Sequence, residues 1–184
     1  MATPRTPTAN PNLSLAELRT QRAKLASLLE KYRRPFEQKL QRVIDGELSA
    51  TEFLGLKPQH AVGLVGFAAQ MLSENDLDSA EAAAELAAAA DPSSFDAWMT
   101  LGATRARRKQ ERAALEAYAQ AAAIRPTDVR LWCDVGEIKL LLHDYEGAAK
   151  ALRLAMDADP QAQTPAGRRA QALVAKTFAK IKKK

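Results

Sequence analysis

The sequence of 184 residues is poor in cysteine, glycine and aromatic residues. Its one cysteine, Cys133, excludes an internal disulfide and is typical of a reducing environment. Eight glycines and 5% aromatic residues argue against a sheet protein, whereas abundant Ala, Leu, Glu, Lys and Arg favour helices. No run of about 18 apolar residues is present, so we expect no membrane span. The first residues also lack the apolar segment of a secretory signal, and we therefore expect a cytoplasmic protein.

Patterns that carry catalysis or hold a metal are missing as well. His60 and His143 lie in distant parts of the chain, and neither has the Cys, His or carboxylate spacing of a metal site. Cys133 has no candidate base beside it in sequence. The chain contains no glycine-rich phosphate loop and no nucleophile elbow. We therefore predict no enzyme, no catalytic residues, no metal and no cofactor.

A repeat of 34 residues dominates the chain, in three copies at residues 61–94, 95–128 and 129–162. In the second copy its marker residues are Trp98, Leu101, Gly102, Ala114, Tyr118, Ala121 and Pro126. Their counterparts in the third copy are Trp132, Val135, Gly136, Ala148, Leu152, Ala155 and Pro160. This period and pattern resemble the tetratricopeptide repeat, a helix-turn-helix unit that stacks into a solenoid. We expect both tryptophans to pack between the two helices of their own repeat.

The domain organisation follows from this repeat. We predict four segments: a disordered lead-in at 1–13, an N-terminal helical segment at 14–56, three repeats at 57–162, and a capping helix with a basic tail at 163–184. The repeat helices are expected near 58–73, 77–90, 95–108, 111–124, 129–142 and 145–158. Each second helix ends before a proline, which drives the preceding residue out of the helical region. The predicted fold is an all-α solenoid.

The N-terminal segment has the apolar periodicity of an amphipathic helix. A helix is expected to start at Ser14, and Leu18, Leu25 and Leu29 form a stripe along it. Pro35 is expected to end or kink this helix. The second helix of the first repeat consists almost entirely of small residues, which bury little apolar area. The N-terminal helices are therefore the expected cover for the first repeat, which is otherwise the least stable of the three.

The first helices of stacked repeats line a concave surface that suits an extended peptide or a helix. The second, fifth, ninth and twelfth repeat positions predict the groove residues Val62, Val65, Ala69, Leu72, Asp96, Met99, Ala103, Ala106, Arg130, Cys133, Glu137 and Leu140. Most of them are small or aliphatic, and the charged members are available to orient a ligand. Repeats that clamp a carboxylate present Lys, Arg and Asn on this surface instead, so capture of an acidic C-terminus is disfavoured.

The net charge of +5 is unevenly distributed, because the repeats carry 11 basic and 16 acidic residues whereas residues 163–184 carry seven basic and no acidic ones. The group formed by Arg105, Arg107, Arg108, Lys109 and Arg112 is interpreted as a solvated helix end. The basic tail at 168–184 keeps open, as a minor alternative, the binding of a nucleic acid or an anionic surface.

Three stretches resemble the class II type III secretion chaperones, the SycD/LcrH family. They are GELSATEFLGLKPQHAVGLVGFAAQML (46–72), LGATR (101–105) and GEIKLLLHDYEGAAKALRLA (136–155), and the likeness covers about residues 46–175. The resemblance implies a cytoplasmic chaperone that binds a segment of a hydrophobic translocator-like client in the concave groove. It also implies a homodimer formed through the N-terminal helices, for which Leu18, Leu25 and Leu29 are the candidate residues. A tetratricopeptide scaffold or adaptor without a chaperone role is the alternative.

Overall fold

The computed structural model describes residues 15–181, and within them all regular structure is helical. The predicted all-α fold is therefore confirmed. The chain divides into two compact units between Leu54 and Gly55. Outside the described residues lie the predicted lead-in at 1–13, the expected helix start at Ser14 and the last three lysines.

The first unit contains two helices, α1 (Leu15–Ile44) and α2 (Ala50–Leu54). Beyond the end of α1, Gly46 has a φ of 76°, a left-handed conformation that glycine adopts without steric cost. The Gly46 amide donates to the Val43 carbonyl and the next amide donates to the Arg42 carbonyl. This pair of bonds is the Schellman motif, which ends α1 at this point.

The short helix α2 is held at its start and against α1. The Ser49 amide donates to Glu52 Oε2 at 2.9 Å, and the Glu52 amide donates to Ser49 Oγ at 3.2 Å, which together form a capping box. Phe53 of α2 meets Phe36 of α1 edge to face, with ring centroids 5.5 Å apart. The capping box and this aromatic contact therefore hold α2 in place.

Of the two outcomes expected at Pro35, a helix end is wrong, because Pro35 lies inside α1. Leu25, Phe36 and Leu40 fall on one side of a helix that keeps its 3.6-residue period across the proline, so the continuous helix preserves one apolar face. That face is exposed in the described part of the unit, with Leu25 at 58%. The side chains of Leu18 and Leu29 lie outside the described residues.

The second unit contains three helical hairpins and a closing helix. They are α3 (Ala61–Ser73) with α4 (Leu77–Ala90), α5 (Phe95–Arg107) with α6 (Glu111–Ile124), α7 (Val129–Leu141) with α8 (Tyr145–Ala158), and α9 (Pro165–Ile181). The predicted helices match these bounds to within one residue, except that the first begins as a 3₁₀ turn at Pro58–His60. Each first helix contacts its own second helix and the next first helix, so α3, α5 and α7 lie side by side.

The three hairpins turn in the same way. Asn75, Lys109 and His143 follow the first helices with φ of 61°, 61° and 60°. In each turn, the amide of the next residue donates to the carbonyl five residues before it, at 2.9 Å. The 34-residue period of the sequence is therefore also a period of the backbone.

The two helices of each later hairpin touch through a glycine and a large side chain. A Cβ on Gly102 would lie 2.6 Å from Tyr118 Cε1, and one on Gly136 would lie 2.6 Å from Leu152 Cγ. The first hairpin has Ala68 at the glycine position, and its second helix offers only Ala84 at the partner position. In the second and third hairpins, the glycine on the first helix thus makes room for a large side chain on the second helix.

The tryptophans connect successive repeats, a contact that the repeat pattern did not indicate. Trp98 Nε1 donates to the Pro92 carbonyl at 2.9 Å, and Trp132 Nε1 donates to the Pro126 carbonyl at 2.6 Å. Both indoles also pack against buried side chains of the preceding repeat. The indoles therefore join successive repeats in addition to packing within their own repeat.

Three arginines at the C-terminal end of α5, Arg105, Arg107 and Arg108, also connect repeats, so the interpretation as a solvated helix end is wrong for them. Arg105 Nε lies 3.1 Å from Glu81 Oε1, and Arg108 Nε lies 2.9 Å from Glu81 Oε2. Arg107 donates to the Leu72 carbonyl at 2.7 Å. Because Arg105 and Arg108 are only 20% and 28% exposed, these pairs are partly shielded from water. They tie the second hairpin to the first.

Candidate peptide-binding groove

A pocket of about 470 Å³ runs across α3, α5 and α7. Its apolar wall consists of Val62, Val65, Ala69, Leu72, Met99 and Ala103. Its polar residues are Ser94, Asp96, Thr100, Arg130 and Asp134. The α3 residues recur every three or four positions, a spacing that places them on one helix face. Val62, which is 79% exposed, offers aliphatic surface that no other described residue covers.

Eight of the twelve predicted groove residues line this pocket, and two others line the pocket beside it. Ala106 and Glu137 line an adjacent pocket of about 410 Å³, together with Arg107 and Ile138. Leu140 is half-buried and lines neither of the two pockets. The groove therefore has an apolar part over the first two repeats and a charged part over the third.

Cys133 is not a groove residue, which corrects the prediction. Its side chain is 0% exposed and packs with Leu152, Ala155 and Ala170. Ala170 belongs to α9, which packs on α7 and covers the position that would otherwise face the groove. Burial raises the pKa of the Cys133 thiol, so the side chain is an inert core residue.

Asp134 and Arg169, which the repeat pattern did not indicate, are 35 residues apart in the chain and bond each other in the structure. Arg169 Nη1 donates to Asp134 Oδ1 at 2.9 Å, and its Nη2 bonds Glu137 Oε2. The guanidinium of α9 therefore joins two carboxylates one turn apart on α7. Asp134 falls at the sixth repeat position, outside the four positions used for the prediction, and nothing in the period indicates where a side chain of α9 reaches.

The electrostatics of Asp134 reflect its position between groove and core. Burial raises the pKa of Asp134 above its usual value, and the guanidinium of Arg169 opposes this shift. An unpaired carboxylate at this point would be costly, because burial removes much of the water that would otherwise solvate its charge. Arg169 therefore supplies the counter-charge of this carboxylate.

A second arginine, Arg130, pairs with two other carboxylates beside the groove. Arg130 Nη2 lies 3.7 Å from Asp96 Oδ1, and Arg130 Nε lies 3.6 Å from Asp128 Oδ1. The Arg130 guanidinium also lies over the ring of the buried Phe95, 5.9 Å from its centroid. Both Arg130 and Asp96 are 58% exposed, so solvent screens this pair and a ligand can reach both groups.

Two further features of the described residues bear on function. None of their helices combines the length and the apolar character that crossing a membrane requires. Within residues 15–181, no group of three or more His, Cys, Asp or Glu side chains is arranged to hold a metal ion.

No protein-family model matches the chain, and no curated protein matches its sequence. Solved structures share its fold. The first tetratricopeptide domain of Spaghetti (RPAP3) bound to the Hsp90 peptide SRMEEVD is 17% identical with a TM-score of 0.63, over 68% of this chain and 96% of that one. The TPR2B domain of yeast Sti1 in complex with an Hsp70 peptide is 16% identical with a TM-score of 0.62, over 66% and 98%.

The type III secretion chaperone SycD of Yersinia enterocolitica, in complex with a peptide of the translocator YopD, is 20% identical with a TM-score of 0.59, over 66% of this chain and 93% of that one. These identities bear on the fold alone. Together with the observed hairpins, they show that the chain is an all-α solenoid of tetratricopeptide repeats.

Proposed function

We propose that the protein is a non-catalytic binding protein that holds an extended apolar segment of a client protein along α3, α5 and α7. The observation that carries the proposal is the 470 Å³ pocket, in which six small or aliphatic side chains form one wall and charged side chains stand at the rim. An extended segment places every second side chain on one face, which suits a shallow apolar wall of this kind.

The size of the wall limits the affinity. Each fully buried aliphatic side chain contributes about 1.5–3 kcal/mol, so three anchors of a client contribute roughly 5–9 kcal/mol before the cost of association. This corresponds to a dissociation constant on the order of micromolar or weaker. Such an affinity suits a protein that must release its client.

The client that we propose is a hydrophobic translocator-like protein of a type III secretion system, held before export in the cytoplasm. Two observations support this choice: the resemblance of residues 46–175 to the SycD/LcrH chaperones, and the SycD structure whose ligand is a translocator peptide. The uncharged, apolar helix α3 of the present chain (AVGLVGFAAQMLS) suits a client of that chemistry.

The proposal is tested by placing a charged side chain in the apolar wall of the pocket. Met99→Glu and Leu72→Glu should each abolish co-purification of a co-expressed client, because a carboxylate in the wall loses its hydration when the segment binds. Circular dichroism should show an unchanged helix content. Leu154→Glu, on an exposed part of α8, is the matched control and should bind normally. Retained binding by both wall variants contradicts the proposal.

The alternative function is that of an adaptor that captures a peptide from another cytoplasmic complex, as the RPAP3 and Sti1 domains bind Hsp90 and Hsp70 peptides in their structures. Asp96, Asp134 and Glu137 on the groove of this chain would repel an acidic peptide. We therefore expect the peptide SRMEEVD not to bind by calorimetry. Binding that Met99→Glu abolishes would favour the adaptor.

We also propose that the protein is a homodimer through the apolar face of α1. The exposed Leu25 supports this, and Leu18 and Leu29 complete the stripe in the sequence. Deleting residues 1–45 should convert the dimer into a monomer in analytical ultracentrifugation. An unchanged mass refutes this interface.

Binding of a polyanion by the basic tail stays a minor hypothesis. Arg169 is engaged by α7, and Arg168 donates to the Gln163 carbonyl at 2.8 Å, so two of the seven cations have partners within the protein. Deleting residues 180–184 should abolish any salt-dependent binding to single-stranded DNA or anionic vesicles. No binding at low salt ends the hypothesis.

A further inference from the structure

Three pockets meet at one carboxylate. Asp134 lines the 470 Å³ pocket, the 410 Å³ pocket beside it, and a third pocket of about 600 Å³ between α7 and α9. Arg169 lines the second and the third of these, where its guanidinium bonds Asp134 and Glu137. The arginine therefore lies across the groove at the third repeat, directly beyond the apolar wall.

We propose that Asp134 and Glu137 form a subsite for a basic side chain of the client, and that Arg169 occupies this subsite in the free protein. The inference rests on the proposed function, since the client segment must reach the groove first. It adds the chemical class of the segment, which combines aliphatic anchors with one arginine or lysine.

The geometry explains why a guanidinium fits. Asp134 and Glu137 lie three residues apart on α7, so their carboxylates face the same side, and Arg169 already bonds both. A planar guanidinium presents several donors in a rigid fork, which matches a pair of carboxylates better than a neutral side chain can. The bonds that Arg169 makes to the two carboxylates therefore indicate the bonds that a client guanidinium would make in its place.

Arg169 can leave the subsite without unfolding α9. Its side chain is 48% exposed, whereas the contact of α9 with the core runs through the buried Ala170 and the partly buried Leu173 and Val174. Rotation of one surface side chain thus vacates the subsite, while the helix stays packed. The client cation then takes over the compensation of Asp134, so that the carboxylate is never left unpaired.

The arrangement also predicts a spacing. Packed helices are separated by about 8–10 Å, and an extended chain rises about 3.3 Å per residue. The basic residue should therefore lie about three residues from the anchor at Met99 on α5 and about six from an anchor on α3. This distance distinguishes a defined subsite from general attraction to an acidic surface.

Selection from a library of random 12-residue phage-displayed peptides tests the inference on the full chain, with counter-selection against Met99→Glu. The selected peptides should carry an Arg or Lys at the predicted spacing from aliphatic residues. Peptides that depend on Met99 but show no enrichment of basic residues would overturn the inference and leave the proposed function standing. If no peptide depends on Met99, the proposed function fails and the inference fails with it.

A matched pair of peptides then measures how much the positive charge of the client residue contributes to binding. Replacing the arginine of the best peptide by citrulline, which has nearly the same shape without the charge, should weaken binding to the wild type about tenfold. The double variant Asp134→Asn/Glu137→Gln should bind both peptides equally. Arginine and citrulline peptides that bind the wild type equally would overturn the subsite.

The role of Arg169 has its own readout. Arg169→Gln should bind the arginine peptide at least threefold more tightly than the wild type and the citrulline peptide unchanged, because a competitor has been removed. Arg169→Lys, which keeps the charge, should bind like the wild type. If Arg169→Gln only lowers the melting temperature and leaves both affinities unchanged, Arg169 merely caps the solenoid and its role as an occupant is wrong.

Discussion

The first and second repeats have the same backbone but different interiors. Asn75 and Lys109 adopt the same left-handed turn, and each pair of helices packs along its length. The second repeat pairs Gly102 with Tyr118, whereas the first pairs Ala68 with Ala84. The buried cluster around α4 consists of Ala68, Ala83, Ala84, Ala87, Ala88, Ala97, Leu101 and Ala117, and the next cluster includes Phe95, Tyr118, Leu131 and Ile138.

This difference shows that the geometry of a hairpin and its stability have different requirements. The hairpin geometry requires only that the sizes of the two facing residues complement each other, which a glycine with a tyrosine and an alanine with an alanine both satisfy. Stability depends instead on the apolar area buried, at about 25 cal/mol per Å². The alanine-rich first repeat therefore keeps the shape with less stabilisation, and it carries the most apolar part of the groove.

Removing the large partner should have the largest effect. Tyr118 is 2% exposed and fills the space that Gly102 leaves, so Tyr118→Ala should lower the free energy of unfolding by about 3–5 kcal/mol in urea denaturation. Leu152→Ala, the equivalent change in the third repeat, should cost about 2–5 kcal/mol. A loss below about 1 kcal/mol in either would contradict the packing described.

The size exchange can be tested by a double-mutant cycle. Gly102→Ala alone should cost about 1–3 kcal/mol through overpacking, because the new methyl would lie 2.6 Å from Tyr118. In the Tyr118→Ala background the same change should stabilise by about 1 kcal/mol, since alanine favours the helix over glycine. The double variant copies the first repeat. Additive effects would show that the two positions do not depend on each other.

Native-state hydrogen exchange compares the repeats directly. Amides of α3 and α4 should open with a free energy about 1–2 kcal/mol below those of α5 and α6, because local stability in a solenoid follows the packing of each repeat. The Tyr118→Ala variant should reduce this gap. Equal protection in the wild type would show that the small interior of the first repeat is compensated elsewhere.

The smallest effect concerns a helix cap that only the second repeat lacks. Asp76 and Asp144 accept amide bonds at the starts of α4 and α8, whereas Gln110 makes no side-chain cap at α6. Gln110→Asp should raise the free energy of unfolding by about 1 kcal/mol at neutral pH.

This gain should depend on pH in a defined direction. Hydrogen bonds from Ser79 hold the pKa of Asp76 below its usual value, and a new aspartate at 110 should be lowered likewise. A lowered pKa adds stability above about pH 4, and that stability is lost as the pH falls through the folded-state pKa. Gln110→Asn should cap without this dependence. A gain from Gln110→Asp that persists at pH 2 would contradict an ionic cap.

Much of the fold could be predicted because the same pattern occurs in three copies, which support one another. Each marker position occurs in three copies, so the helices, the turns and the closing prolines were each indicated more than once along the chain. The helix end that was expected at Pro35 is wrong for the complementary reason. Pro35 occurs once, outside the repeats, and there the continuity of the apolar face in α1 outweighs the local preference of proline.

The groove was less predictable than the fold. Positions on α3 and α5 follow from the repeat, since a helix face is fixed by its 3.6-residue period. The roles of Cys133 and Asp134 do not follow from the repeat, because both depend on α9, which lies outside the 34-residue pattern. Ala170 of α9 packs against Cys133, and Arg169 of α9 bonds Asp134. The arginines at the C-terminal end of α5 illustrate the same limit, since their partners are on the preceding hairpin.

The sequence by itself determined the class of the protein, the bounds of its repeat helices and the apolar character of the first two-thirds of the groove, because local periodicity governs all three. The tertiary structure alone decided which charged residues meet. Contacts such as Arg169 with Asp134 join side chains 35 residues apart, and their formation depends on how α9 is rotated and seated on α7. That rotation is set by the packing of Ala170, Leu173 and Val174 against the third repeat.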